Sequence, residues 1–305
     1  MKEQPFGKVL VTGAGGLLGR YVVDKLLSEG IEVRAFDRIE GAADVEWMVG
    51  DITDPKAVDA AVSGVDAVLH IAAIANIWNG TGEQIMHTNV MGTWLVFDAA
   101  QRHRVARVVF CSSDSVAGYT VREGKMLHPR YAPLDNEHPR LATDPYALSK
   151  VIGEDIARSF AYAGMQAIAL RTVFVAYPEM EKEILARARD PENYKGPAVG
   201  GPSSAGGGPL YHHIDPRDVA SAFYLALNLK MKNGDYDAFY LASEETLSPE
   251  PTLDRLQRLH GGAVEVRDRG HYEKQPFAPL YDLQHARDVL GFRAEHSKRH
   301  LLDQI

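Results

Sequence analysis

The chain has 305 residues, with 33 Lys plus Arg against 41 Asp plus Glu, a formal net charge of −8 and one cysteine. That length supports a core for one large domain, or for a domain with a smaller companion, and the acidic balance argues against nucleic acid or an anionic membrane as the main partner while leaving a small anionic ligand open. The lone Cys111 excludes an intramolecular disulfide, favours a reducing, cytoplasmic setting, and ends the apolar run VVFC as a buried thiol.

The N-terminus runs from MKEQPFGK into a short apolar strand, without the long apolar region of a signal peptide. No segment is long and apolar enough to cross a bilayer, and the best, Val65 to Trp78, contains His70 and Asn76. Short β-branched runs then alternate with helical patterns. KVLVTG predicts a strand, Leu17 to Ser28 a helix, EVRAFD and VEWMVGD two strands, Pro55 to Val62 a helix and VDAVLHIAA a fourth strand. Glu83 to Arg104 reads as a helix, RVVFCSS as a strand, Pro145 to Ala163 as a helix opened by Asp144 and Pro145, and QAIALRTVFV as a strand. Strands apolar on both faces and separated by helices predict a doubly wound parallel α/β sheet.

After Pro178 the rhythm breaks. Glu179 to Arg189 predicts a charged helix, and KGPAVGGPSSAGGGP a loop that is either a linker or, over residues 196–209, a lid. DPRDVASAFYLALNL and DAFYLAS resume the helix and strand pattern, and the remainder reads as a small mixed cap. The expected division is a nucleotide-binding domain over residues 1–177 and a mainly substrate-binding cap over 178–305, with 211–243 returning to the first domain.

VLVTGAGGLLG joins the first strand to its helix through Gly13, Gly16 and Gly19, with Leu17 and Leu18 opening the helix. Glycines there permit a tight turn and close approach of amides to a pyrophosphate, which the helix dipole favours. Asp37 ends the second strand 18 residues after Gly19, where a carboxylate bonds the ribose hydroxyls of NAD. Its charge disfavours NADP, although Arg38 beside it attracts phosphate. Tyr146 and Lys150 stand one helical turn apart.

With these motifs go Asp51 and Ile52 after the third strand, HIAA at 70–73, NVMGT at 89–93 and SSDSVAG at 112–118. In this order they resemble the extended short-chain dehydrogenase/reductases of the NAD-dependent epimerase/dehydratase group, over roughly the first 180 residues and again at HIDPRDVA. The resemblance implies a Rossmann domain that binds NAD, with Asp51 and Ile52 at the adenine and small Ala72 and Ala73 ending the fourth strand beside the cofactor. Close helix packing is the other reading of those alanines. Asn89, also placed with the cofactor-binding set, would fix the fourth helix near the active site, or be a capping or core amide. His70 is expected to be a satisfied histidine and not a metal ligand.

Tyr146 is then the general base, with Lys150 lowering its pKa and holding the nicotinamide ribose. Counted back from Gly118, the family's closing glycine, Ser113 is the catalytic hydroxyl, and strand alternation turns Ser112 away. Dehydratases of the group carry an Asp-Glu pair where this chain has Asp114 and Ser115, so dehydration is not expected. RTVFVAYP puts Phe174 at a position where the epimerases hold diphosphate with Asn, and Tyr211 takes the place of a diphosphate-binding Arg. These losses favour a small sugar-like or other polar secondary alcohol over a nucleotide sugar, with an epimerase as the alternative, and uronate dehydrogenases offer one pattern. Asn76, Ser113, Asp114, Phe174 and Tyr177 are the expected substrate contacts, and Trp78 and Tyr211 are further aromatics that either stack on a ring or belong to the core. The adjacent His212 and His213 point to opposite faces of a strand and lack the cluster a metal needs, so no metal is expected. A homodimer, through the helices beginning near Glu83 and Pro145, is a family expectation.

Overall fold

The computed structural model describes residues 6–118, 127–189 and 212–304. Tyr211 and the 196–209 loop lie outside the described residues.

The chain begins with β1 (Lys8–Thr12), α1 (Leu17–Ser28), β2 (Glu32–Asp37), β3 (Glu46–Val49), α2 (Pro55–Val62) and β4 (Ala67–His70). It continues with α3 (Gly82–Met86), a π-helical turn at His87–Met91, α4 (Gly92–Arg102), β5 (Arg107–Ser113) and β6 (Tyr131–Ala132). Next come α5 (Pro145–Tyr162), β7 (Gln166–Thr172), β8 (Phe174–Val175), α6 (Glu181–Arg189) and β9 (His213–Ile214). Then come α7 (Pro216–Asn228), β10 (Tyr236–Leu241), α8 (Thr252–His260), β11 (Glu265–Val266) and α9 (Arg269–Lys274), followed by a π-helical turn at Ala286–Leu290 and a 3-10 turn at Arg299–Gln304.

Seven strands form one sheet in the order β10-β7-β5-β4-β1-β2-β3, and every pairing in it is parallel. Alternation sorts its side chains: Val9 and Val11 pack with Val22 of α1 and Phe223 of α7, whereas Leu10 packs with Phe97 of α4 on the opposite face. The doubly wound α/β architecture expected from the alternating pattern is therefore present. Strand order reverses between β1 and β4, and such a reversal opens a crevice at the strands' carboxyl ends.

Four details depart from the sequence expectation. The fourth strand ends at His70 and not at Ala73, because the Ile71 and Ala72 amides turn to the Thr12 carbonyl (3.2 and 3.1 Å). The Glu83–Arg104 helix is interrupted by the π-helical turn that carries Asn89. QAIALRTVFV divides at Val173, and Phe174–Val175 leave the large sheet to pair with β9. The C-terminal region is also tied to the middle of the chain: β11 pairs with β6, and Leu134 bridges Tyr281. Among the described residues no helix is long and apolar enough to cross a membrane.

Candidate active site

The turn after β1 is fitted to glycine at two points. Gly13 has φ +73°, and a Cβ on it would stand 2.7 Å from the Ala72 amide nitrogen, while a Cβ on Gly19 would stand 2.0 Å from the Gly13 carbonyl oxygen. Helix and strand therefore approach more closely than any side chain permits. The N-cap of α1, Gly16, has no side chain to bond the first amides, and the first turn has no acid, whereas α2, α5 and α7 are capped by Asp54, Asp144 and Asp215. Free amides at a positive helix end suit an anion, so this end fits the pyrophosphate of a dinucleotide. Gly13, Gly16, Leu17, Leu18 and Gly19 all line a cleft of about 630 Å³ that follows the ends of the strands.

Asp37 lies at the next strand end, its Oδ2 accepting from the Gly15 amide (3.0 Å) and its Oδ1 from the Arg38 amide (2.6 Å). Its carboxylate is thereby fixed at the cleft wall. Asp51 and Ile52 line the cleft beyond it. Burial pushes the Asp51 pKa up, but the Thr53 amide and hydroxyl, at 2.9 and 2.8 Å, outweigh it and hold the carboxyl below its ordinary value. Ala72 and Ala73 line the cleft from the loop after β4.

Asn89 is not among the described lining residues and stands behind them. It is 3% exposed, and its amide is used within the chain: Oδ1 accepts from Ile74 N at 2.7 Å, and Nδ2 donates to Ile74 O and Ser149 Oγ, each at 3.0 Å. Asn89 thus ties the loop after β4 to α5. His70 is likewise buried behind the site, between Thr12 Oγ1 (2.8 Å) and Thr93 Oγ1 (3.0 Å), and burial lowers its pKa to about 3, leaving it neutral.

Ser113, Tyr146 and Lys150 meet at the ends of β5 and α5. Asp144 caps α5 by accepting from Ala147 N at 2.8 Å, and Pro145 occupies the first turn, so the helix begins one residue before Tyr146. Tyr146 shares a hydrogen bond with Ser113. Lys150 donates from Nζ to the Cys111 carbonyl at 2.8 Å, and Nζ lies 5.7 Å from the centre of the Tyr146 ring. The electrostatics of the phenol in the chain alone are set mainly by burial. Burial, followed by the charges of Cys111, Asp114 and Asp144, pushes the Tyr146 pKa above its ordinary value, and the Ser113 hydrogen bond offsets only part of this. Burial also lowers the Lys150 pKa. The chain by itself therefore holds Tyr146 as a neutral phenol.

Ser112 and Ser113 face different partners. Ser112 donates to Glu154 Oε1 at 2.6 Å, and the buried Glu154 carboxylate binds Arg171 in fork geometry, with both contacts at 2.8 Å. Ser113 donates to Asp114 Oδ1 at 3.2 Å. Asp114 also accepts from Tyr281 at 2.7 Å, and burial pushes its pKa up to about 6 against these bonds. Asn76, Phe174 and Tyr177 line the same end, with Asn76 Oδ1 accepting from the Trp78 and Asn79 amides at 2.9 and 3.0 Å.

Sequence reasoning missed three participants here. Met180 and Glu183 line the cleft from the segment opening α6, and Tyr281 arrives from 167 residues beyond Asp114. The charged pattern of Glu179 to Arg189 gave a helix but not its facing, and nothing local marks Tyr281. His212 reaches the cleft while its Nε2 accepts from Leu280 N (3.2 Å), and His213 Nε2 accepts from Lys298 N (3.0 Å). Among the described residues no group of three or more potential metal ligands converges.

The strand reversal, the open glycine turn and the Ser113, Tyr146 and Lys150 cluster now stand in one cleft, and residues 9–242 match the NAD dependent epimerase/dehydratase family. The chain belongs to that family. Its cofactor is NAD. A uronate dehydrogenase of Pseudomonas syringae pv. tomato is 33% identical over 182 residues, 58% of this chain and 62% of that protein. A 2-alkyl-3-oxoalkanoate reductase of Stenotrophomonas maltophilia is 32% identical over 192 residues, 60% of this chain and 56% of that protein. The chain thus spans less than two thirds of the length of these curated relatives. The fold extends further: the crystal structure of a short-chain dehydrogenase/reductase superfamily protein from Agrobacterium tumefaciens with bound NAD superposes with a TM-score of 0.71 and 26% identity, over 97% of this chain and 95% of that one.

Proposed function

We propose that this protein is an NAD-dependent dehydrogenase acting on a secondary alcohol of a small molecule, with Tyr146 as the base. The reading is carried by the convergence of Ser113, Tyr146 and Lys150 at one end of a cleft whose other end offers the uncapped amides of α1. In the proposed roles, those amides and Asp37 hold the dinucleotide, Asp51 and Ile52 flank its adenine, and Lys150 holds the ribose near the reacting end. NAD, when bound, accepts the hydride that leaves the alcohol carbon and brings a positive ring close to the phenol.

The residues then divide the remaining work. Ser113 donates to the substrate oxygen and orients it toward Tyr146, which takes the hydroxyl proton as the carbon–oxygen double bond forms. Burial holds the Tyr146 pKa above its ordinary value in the chain alone, so a positive charge brought beside the phenol would favour its working as a base. Ser115 stands where a dehydratase has its second acid, which supports oxidation without loss of water. The sequence favoured a sugar-like or other polar alcohol, of which the proposal keeps the reacting secondary alcohol, and a homodimer is kept as the working form.

The test is NADH formation with a panel of secondary alcohols, for the parent protein and for Tyr146→Phe. The expected result is net NADH from the parent and a loss of about 10²- to 10⁴-fold in kcat in the variant, with NAD affinity retained. Isomer interconversion without NADH release would make the protein an epimerase. Undiminished turnover by Tyr146→Phe would remove the base assignment.

A further inference from the structure

We infer that the substrate is an uncharged secondary alcohol, or the matching ketone, borne on an apolar ring or alkyl body, in place of a uronate or a nucleotide-linked sugar. This rests on the dehydrogenase reading above. Beyond Tyr146 the cleft is walled by Ile77 and Trp78 from the loop after β4, and by Phe174 and Met180 from the segment after β7. Trp78 keeps 39% of its surface exposed, so a large apolar face is offered to whatever enters.

The charges point the same way. Among the described lining residues the cations are Arg38 and Lys150. Arg38 follows Asp37 at the distant β2 end, and Lys150 gives Nζ to the Cys111 carbonyl at 2.8 Å. Two cations on or facing the segment that opens α6 are paired, Arg20 with Glu179 at 2.8 Å and Lys298 with Glu181 at 3.0 Å. Besides Lys150, the charged side chains lining the cleft from the segments carrying the Ser113 and Tyr146 cluster and α6 are the carboxylates Asp114, Asp144 and Glu183. A carboxylate or phosphate entering there would lose water and meet more like charge than opposite charge, with Lys150 the one lining cation among the described residues on that side.

The groups suited to reading extra sugar hydroxyls are committed within the chain. Asp114 accepts from Ser113 at 3.2 Å and from Tyr281 at 2.7 Å. Asn76 Oδ1 accepts two backbone amides, at 2.9 and 3.0 Å, and Asp144 accepts from Ala147 N at 2.8 Å. Ser113 and Tyr146 are the hydroxyl pair placed to address a single reacting oxygen. An apolar remainder gains from the walls, whereas a polyol would surrender hydration to them.

The experiment compares neutral alicyclic alcohols, neutral aldoses, uronates and uridine-diphosphate sugars as sources of NADH, after NAD binding has been verified by calorimetry. The alicyclic alcohols are expected to exceed every carbohydrate by at least about tenfold in kcat/KM. A carbohydrate that equals or exceeds them overturns the inference and leaves the dehydrogenase reading standing. No hydride transfer with any class, by a protein that binds NAD, overturns the dehydrogenase reading and the inference with it. The exposed Trp78 gives an independent check: Trp78→Ala is expected to raise KM for the best alicyclic alcohol by about tenfold with kcat little changed, as lost apolar contact would. An unchanged KM counts against the apolar wall.

Discussion

The Tyr281 hydroxyl donates to Asp114 Oδ2 at 2.7 Å, so the C-terminal region holds the carboxylate that neighbours Ser113. Tyr281 is itself fixed, stacked on Tyr240 with ring centres 4.8 Å apart and edge-on to His212 at 5.0 Å. Burial pushes the Asp114 pKa from 3.8 up to about 6, and the Tyr281 hydrogen bond pulls against that shift. A carboxyl raised on folding favours the folded state when protonated. Its contribution is fully present below 3.8 and is lost as pH rises through about 6.

Tyr281→Phe should therefore raise the Asp114 pKa further and displace any inflection of the kcat profile near pH 6 to higher pH. Thermal melts should show a loss of roughly 1.5 to 3 kcal/mol above that pH, where a charged acceptor loses its donor, and about 1 kcal/mol at pH 4. An equal loss at both pH values, with the profile unmoved, would mean that Tyr281 contributes packing only.

What the sequence made legible was local. The glycine turn, Asp37 at a strand end, and Tyr146 with Lys150 follow from spacing within one element or one turn. Alternation along β5 likewise set Ser112 and Ser113 on different partners. Contacts between distant segments were not legible. Nothing near Asn89 indicates that its amide closes on Ile74, nothing near Phe174 indicates that two residues leave the large sheet for β9, and no pattern joins Asp114 to a tyrosine 167 residues later. The raised pKa of the phenol in the chain alone also has a non-local cause. Burial of Tyr146, which composition and spacing do not report, is the largest cause.

Behind the site, Glu154 and Arg171 form an ion pair at 2.8 Å with side chains 0% and 4% exposed, and Ser112 donates to the same carboxylate. Removing one partner leaves a buried charge without its counter-ion. Glu154→Ala is expected to cost about 3 to 5 kcal/mol in urea unfolding, and adding Arg171→Leu should recover part of that loss. Losses that simply add in the double variant would show that the pair is not coupled.

In the proposed function Asp37 sets cofactor choice through its charge, and its carboxylate is held by two backbone bonds, from Gly15 N and Arg38 N. Asp37→Asn keeps an acceptor oxygen and removes the negative charge, while Arg38 remains at the cleft wall. The ratio of kcat/KM for NAD over NADP should fall by about tenfold or more, chiefly through better use of NADP. Steady-state rates with both cofactors measure this directly. A ratio that stays constant would place discrimination elsewhere in the cleft.

Apolar side chains stand exposed on the helical layer formed by α4 and α5: Met91 and Trp94 retain 46% and 44% of their surface, and Leu148 retains 43%. Trp94 also packs its ring on Phe160 of α5, with centres 5.4 Å apart, so the two helices present this face as one unit. Exposed apolar groups of this size gain from a second surface of the same kind, and a two-fold partner supplies one by pairing each helix with its copy. Sedimentation equilibrium at micromolar concentration should then give a dimer. Trp94→Glu would bury a charge at the pairing face and is expected to weaken association by at least about a hundredfold, with NAD binding retained because Trp94 is not among the described lining residues. A dimer of undiminished affinity in that variant would move the contact to another face, and a parent protein that sediments as a monomer would remove it altogether.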